Sequence, residues 1–107
     1  MDTDNSLHIV TDRQKDIAKV CKDLGVKKLF VFGSVLTSRF RDESDLDFAV
    51  EFKQEGIENL YHNFFDLYEA LSAIFNRKID LVDQKGVRNP FFLNQLLNTR
   101  HLIYGSA

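Results

Sequence analysis

Two aspartates separated by one residue are the side chains in this chain best suited to chemistry. Asp45 and Asp47 enclose Leu46 in a run that alternates polar and apolar residues, which predicts a strand. Residues two apart in a strand project from the same face, so both carboxylates are expected to lie side by side. They repel each other unless a cation lies between them. The pair therefore predicts a Mg²⁺ site completed by water and substrate phosphates.

A third carboxylate is expected to complete this site. Asp80 lies between Ile79 and Leu81 in another short apolar run, so its side chain is predicted to leave the packed face of a strand. We expect it to bind one metal ion and to act as general base on an attacking hydroxyl. Asp45, Asp47 and Asp80 together suit two ions that stabilise the attacking and leaving oxygens of a phosphoryl transfer. Asp83, at the end of the run, is the weaker candidate.

A Gly-Ser pair precedes Asp45 by ten intervening residues and directly follows an apolar run, 29–32. Gly33 has no Cβ, so its backbone can approach a phosphate closely, and Ser34 can donate its hydroxyl to the terminal phosphates. The spacing of a Walker loop is absent. Arg39 and Arg41 follow in a polar connection, where they either neutralise a triphosphate or are solvated loop charges.

Each of these signals has an ordinary structural explanation when taken alone. A lone Asp-x-Asp is most often a solvated pair on a strand, and a Gly-Ser pair is a common helix N-cap. Their combination with Asp80 favours the metal site. The remaining cations are expected at the surface, with Arg88 the one best placed to reach a cleft: Arg77, Lys78, Lys85, Arg88 and Arg100.

Composition places the chain in an ordinary class. Its 107 residues are 44% apolar and 28% charged, enough for one domain with a core. The net charge of −2 gives no argument for nucleic-acid binding. Cys21 has no partner for a disulfide and is predicted to fill the core. The chain has no apolar run of transmembrane length and begins with acidic, polar residues, so a cytoplasmic location without membrane attachment is expected.

The elements that must position the site follow from periodicity and from helix signals. Residues 1–10 are expected to be a loose lead-in and residues 11–107 a single domain. A capping box of Thr11 and Gln14 predicts a helix that ends at Gly25, and Asn89-Pro90 predicts another helix start. Strands are expected over 26–32, 45–52 and 78–82, with an edge segment over 102–104, and a long helix is expected from residue 60 to 75. The order predicts an α/β (α+β) domain, a small mixed sheet with an antiparallel first pair and helices packed mainly on one face.

The Gly33-Ser34 pair, its ten-residue interval and Asp45-Leu46-Asp47 resemble the signature of the DNA polymerase β nucleotidyltransferase superfamily. More narrowly, the chain resembles the minimal nucleotidyltransferases, the MNT-type antitoxins paired with HEPN-domain toxins. The resemblance implies a polymerase-β-like palm that carries Gly33, Ser34, Asp45, Asp47 and Asp80 around Mg²⁺ and an NTP. It also implies transfer of AMP from ATP to a tyrosine hydroxyl of a HEPN RNase, which silences the toxin.

Two alternatives stay open at this point. The chain either neutralises its partner by association alone, with an idle nucleotide site, or transfers its NMP to RNA or to a small molecule. The palm occupies the whole sequence, so we expect the acceptor to be a separate protein and direct nucleic-acid substrates to be disfavoured. Some aromatic residues are expected to dock this partner, although core packing is favoured for Phe64 and Phe92. The aromatic candidates are Phe40, Phe64, Phe65, Phe91 and Phe92.

Overall fold

The computed structural model describes residues 6–54 and 59–105, which form a mixed sheet flanked by helices. The four-stranded sheet has the order β3-β2-β1-β4. Strand β1 pairs antiparallel with β2 and β4, and β2 pairs parallel with β3, so the predicted mixed sheet is confirmed. In chain order the elements are α1 His8–Thr11, α2 Gln14–Asp23, β1 Val26–Phe32, a 3₁₀ helix Gly33–Leu36, β2 Leu46–Phe52, α3 Leu60–Phe75, β3 Ile79–Asp83, a 3₁₀ helix Gln84–Gly86, α4 Pro90–Thr99 and β4 His101–Tyr104.

The main core lies between one face of the sheet and the helices α2 and α3. Strand alternation turns Leu29 and Val31 of β1 to this face, where they are fully buried with Phe48 of β2. Leu67 and Leu71, one helical turn apart on α3, pack against the same cluster. This alternation leaves the odd-numbered residues of β2 on the opposite face.

Helix α4 covers that opposite face. Phe30 and Phe32 of β1 and Ala49 of β2 are buried there against Leu96 of α4. The ring of Phe92 meets the ring of Phe32 edge-on, with centroids 5.9 Å apart. Helices therefore lie mainly on one face of the sheet, as predicted, but α4 packs on the face that carries Asp47 and Asp80.

The helix ends follow the sequence signals at two predicted positions. Gly25 adopts φ +74° directly after the α2 cap residue, a left-handed conformation that suits glycine. Asn89 caps α4, and its side-chain oxygen accepts from the backbone N–H groups of Phe91 and Phe92. The expected stop of α2 and start of α4 are therefore confirmed.

The N-terminal region differs from the sequence prediction. Residues 6–10 are not a loose lead-in, because Ser6 N–H donates to the Val35 carbonyl at 3.0 Å and Val10 is fully buried. The predicted capping box is also wrong: Thr11 ends α1, and α2 has no side-chain cap. Gln14 instead donates its amide to the Ile103 carbonyl at 2.9 Å, which joins α2 to β4. The remainder of the expected lead-in, residues 1–5, lies outside the described residues.

Cys21 is buried in the main core, as predicted, and its burial raises the pKa of the thiol to about 12. Phe64 and Phe92 are half-buried against the cores, whereas Phe65 and Phe91 are 59% and 86% exposed. Between residues 6 and 54 and between 59 and 105, no helix has the length and apolar character needed to cross a bilayer.

Candidate active site

Asp47 and Asp80 are brought together by the parallel pairing of β2 and β3. They are direct partners in the register, and the next residue across the sheet from Asp47 is Phe32, the last residue of β1. Asp80 is exposed and Asp47 is half-buried, and the two carboxyl groups are near enough for Asp80 to act on the pKa of Asp47. Burial, then the charges of Asp80 and Asp45, raise the pKa of Asp47 from 3.8 to about 6. The strand pair thus places two carboxyl groups side by side, and the ionised form of Asp47 is disfavoured there without a cation.

Asp45 lies next to this pair but outside the strand that was predicted to hold it. Strand β2 begins at Leu46, one residue later. The half-buried Asp45 carboxylate has Lys78 Nζ 4.0 Å from its Oδ2, an ion pair open to solvent. Asp45 still contributes negative charge at Asp47, so the three predicted carboxylates occupy one region.

The arrangement fits a cation that takes part of its shell from a substrate. Within the described parts of the chain, no three histidine, cysteine or acidic side chains are already arranged to hold a metal ion. Mg²⁺ commonly binds through one or two carboxylates and completes its octahedron with water and phosphate oxygens. The donors here are hard oxygens, and the mutual repulsion at Asp47 is the type that a bound cation relieves. The residues present therefore fit Mg²⁺ bound together with a nucleotide.

Gly33 is in direct contact range of Asp47, which gives its identity a physical reason. Its φ of +80° is the left-handed region that favours glycine. A Cβ at this position would collide with Asp47 Oδ2 and would lie 3.1 Å from its Cγ. Glycine therefore lets the end of β1 pass close to the carboxylate, a reason independent of any phosphate.

A cleft of about 580 Å³ opens beside Gly33 and Ser34. Arg39 lines it, so the structure brings this predicted phosphate ligand to the Gly-Ser turn. Gln95 and Thr99 of α4 also line this cleft. Sequence reasoning missed both, because α4 was expected among the helices of the other face. The sequence gives no signal that separates them, because α4 also carries the polar residues Asn94 and Asn98.

Arg41 is engaged within its own loop. Its Nη1 donates to the carbonyls of Ser38 and Phe40, each at 3.2 Å. Its backbone N–H donates to Ser44 Oγ at 3.0 Å. These contacts order the connection between the Gly-Ser turn and Asp45, and a direct role for Arg41 in nucleotide binding stays a prediction.

Arg77 was expected to be a surface charge, and this prediction is wrong. Its Nη1 donates to the carbonyl of Ser44 at 3.0 Å and, at a longer 3.4 Å, to that of Arg41. Its guanidinium lies 4.7 Å from the centre of the Phe40 ring. Arg100 also differs from expectation, since it stacks on the buried Phe30 ring at 4.0 Å. No pattern in the sequence distinguishes these two arginines from ordinary surface cations.

Sequence comparisons agree with this geometry. The Polymerase beta nucleotidyltransferase family matches residues 15–107. MJ1379 of Methanocaldococcus jannaschii, named as a candidate protein adenylyltransferase, is 34% identical over 68% of this chain and 73% of its own. Protein adenylyltransferase MntA of Thermococcus cleftensis is 30% identical over 76% of each chain.

Solved structures share the fold. A candidate minimal nucleotidyltransferase superposes with a TM-score of 0.74 at 26% identity, over 90% of this chain and 94% of its own. A complex of a tri-AMPylated Shewanella oneidensis HEPN toxin with its MNT antitoxin matches with a TM-score of 0.60 at 20% identity, over 88% of this chain and 71% of that one. With carboxylates, glycine turn, cleft and family match in agreement, the chain belongs to the polymerase β nucleotidyltransferase family.

Proposed function

We propose that this nucleotidyltransferase moves AMP from ATP, with Mg²⁺, onto a tyrosine hydroxyl of a HEPN-domain RNase toxin and thereby acts as an antitoxin. The observation that carries the proposal is the convergence of Gly33, Asp47 and Asp80 at one end of the sheet, beside a cleft of about 580 Å³. The names of the relatives support the reaction, and the AMPylated toxin in the Shewanella oneidensis complex supports the class of acceptor.

Each residue of the site has a role in this reaction. Asp45 and Asp47 would hold Mg²⁺, and Asp80 would bind one of the ions. Bound there, Mg²⁺ would supply positive charge against the phosphates. Gly33 and Ser34 bind the β- and γ-phosphates, where Arg39 adds positive charge from the same cleft. Positioning and charge neutralisation supply most of the catalysis in such a transfer.

The exposed position of Asp80 supports its role as the base of the reaction. Its side chain is open to solvent and so to an incoming hydroxyl, whereas its neighbour Asp47 is half-buried. The acceptor oxygen attacks the α-phosphorus, the bond from that phosphorus to the bridging oxygen breaks, and pyrophosphate leaves. The hydroxyl proton passes to Asp80.

The proposal is tested with ATP labelled at the α-phosphate, Mg²⁺, this protein and a lysate of its host. Asp47→Asn removes one carboxylate charge at the site. Asp83→Asn is the matched control, because it makes the same change in β3 while an asparagine can still accept from the Lys85 backbone N–H. We expect a labelled protein band with the wild type and with Asp83→Asn, and at least about 100-fold less label with Asp47→Asn.

Other outcomes would identify a different function. Label in the RNA fraction, or in a small molecule, would move the acceptor out of the protein class. Neutralisation of the partner without label, preserved in Asp47→Asn, would show that the chain acts by association alone. Either result would contradict the proposed transfer to a protein.

A further inference from the structure

Asp45 is the one predicted metal ligand that no strand holds, since β2 begins at Leu46. Its backbone is instead fixed on both sides by the two residues that precede β3. The peptide before Asp45 offers the Ser44 carbonyl to Arg77 Nη1 at 3.0 Å. The peptide after it offers the Leu46 N–H to the Lys78 carbonyl at 3.1 Å. Asp45 thus lies between two hydrogen bonds that its neighbours make with Arg77 and Lys78.

Arg77 holds more than one point of this loop. The same Nη1 reaches the Arg41 carbonyl at 3.4 Å, and that carbonyl also accepts from the Ser44 N–H at 3.0 Å. The guanidinium lies 4.7 Å from the ring centre of Phe40, which is only 9% exposed. A planar guanidinium can stack and donate in this way at the same time, which an ammonium group cannot do.

We propose that Arg77 is a positioning residue of the transfer reaction, which fixes the backbone of Asp45 and so the distance of its carboxylate from Asp47. This inference rests on the proposed function, because it assigns Arg77 to the metal site of that reaction. Groups that orient a metal ligand without touching the ion alter metal affinity or activity by roughly 10- to 100-fold when they are changed. Arg77 acts on the metal only through Asp45.

The test compares two arginines that stack on buried phenylalanine rings. Arg77→Met keeps an unbranched apolar side chain against Phe40 and removes the guanidinium. Arg100→Met does the same on Phe30, where Arg100 also donates to Gln84 Oε1. Binding of Mn²⁺ alone, a paramagnetic ion that accepts the same oxygen ligands, is measured by electron paramagnetic resonance. We expect the Mn²⁺ dissociation constant to rise about 10-fold in Arg77→Met and to change less than about 2-fold in Arg100→Met.

A double-mutant cycle shows whether Arg77 acts through Asp45. In the Asp45→Asn background, adding Arg77→Met is expected to leave the Mn²⁺ dissociation constant unchanged. A full additional loss of affinity in that background would overturn the inference, because Arg77 would then support the site as a whole. Equal effects of Arg77→Met and Arg100→Met would overturn it as well.

A metal-free measurement separates this inference from the proposed function. Amide exchange at Leu46 is expected to accelerate in Arg77→Met and not in Arg100→Met, since only the first loosens the Ser44–Leu46 segment. A wild type that binds no Mn²⁺ even after ATP is added would contradict the proposed function, because the nucleotide phosphates complete the shell of the ion. The positioning role would then be decided by exchange at Leu46, and unchanged exchange would overturn it.

Discussion

At the scale of single residues, the site depends on a glycine and a carboxylate that share one small space. Gly33 runs close against Asp47 because it has no Cβ and adopts φ +80°. Asp47 in turn lies beside Asp80, and its burial together with the charges of Asp80 and Asp45 raises its pKa to about 6. The folded protein therefore keeps an unfavourable charge arrangement that a bound cation relieves, as functional sites often do.

Replacement of Gly33 tests this shared space. Gly33→Ala places a Cβ against Asp47 in a left-handed conformation, so we expect a loss of about 1–3 kcal/mol of unfolding free energy. We also expect at least about 100-fold lower transfer, because the carboxylate must move. Gly86→Ala is the control, since a Cβ there meets nothing within 4 Å. Urea denaturation and a transfer assay check both values, and a fully active Gly33→Ala would contradict this account.

The raised pKa of Asp47 predicts a pH dependence of stability. Between pH 3.8 and about pH 6, the folded state keeps the Asp47 carboxyl group protonated, whereas the unfolded state releases that proton. The stability contributed by the protonated group is therefore complete below pH 3.8 and is lost as the pH rises through about 6. Asp47→Asn removes this dependence, so the metal-free variant should melt at a higher temperature than the wild type above pH 6.

Thermal melts with EDTA and with Mg²⁺ check this prediction. Because Mg²⁺ requires the ionised carboxylate, it should stabilise the wild type only as the pH rises through about 6, and it should not stabilise Asp47→Asn. The difference in melting temperature between the wild type and Asp47→Asn should therefore change across this pH range. A constant difference would show that the carboxyl pair is not coupled as described.

At the scale of elements, strand pairing positions two carboxylates, and α4 and the loop before β2 complete the site. Asp47 and Asp80 face each other because β2 and β3 are parallel and in register. The cleft exists because α4 packs on that face and adds Gln95 and Thr99 to its wall. The position of α4 thus shapes the candidate site as well as the core.

Two adjacent phenylalanines test how α4 is held. Phe92 packs edge-on against Phe32, one residue before Gly33, so Phe92→Ala should lower the unfolding free energy by about 2 kcal/mol, less than the roughly 3–5 kcal/mol for a fully buried ring. Phe91→Ala removes the same atoms from a side chain that is 86% exposed, and should change stability by less than about 0.5 kcal/mol. Urea denaturation measures both. A larger loss of unfolding free energy for Phe91→Ala than for Phe92→Ala would show that the Phe91 face of α4, and not the Phe92 face, packs on the sheet.

At the scale of the whole molecule, local signals in the sequence predict the sheet better than they predict what surrounds it. The sequence predicts the bounds of β1, the antiparallel first pair and the cap at Asn89, because each of them depends on residues close together in the chain. The face of Asp47 and Asp80 is predictable because side chains alternate along β2 and β3, whereas Asp45 lies one residue before β2 and is not placed by alternation. The position of α4 and the contacts of Arg77 depend on tertiary packing between segments distant in sequence, which periodicity does not encode.

The N-terminal region illustrates the same limit. Helix α1 has only four residues and no side-chain cap, so it carries no periodic signal, yet Val10 is buried in the main core. The Thr11–Gln14 spacing fits a capping box, but Gln14 bonds to Ile103, a residue 89 positions away. In both places a long-range contact decides the local structure.

The most direct test of the central claim is the intact mass of a purified HEPN partner after incubation with this protein, ATP and Mg²⁺. Wild type and Asp83→Asn are predicted to add mass increments of one or more AMP residues to the partner, and Asp47→Asn is predicted to add none. A partner that is neutralised but keeps its original mass, or that is modified equally by Asp47→Asn, would contradict the account.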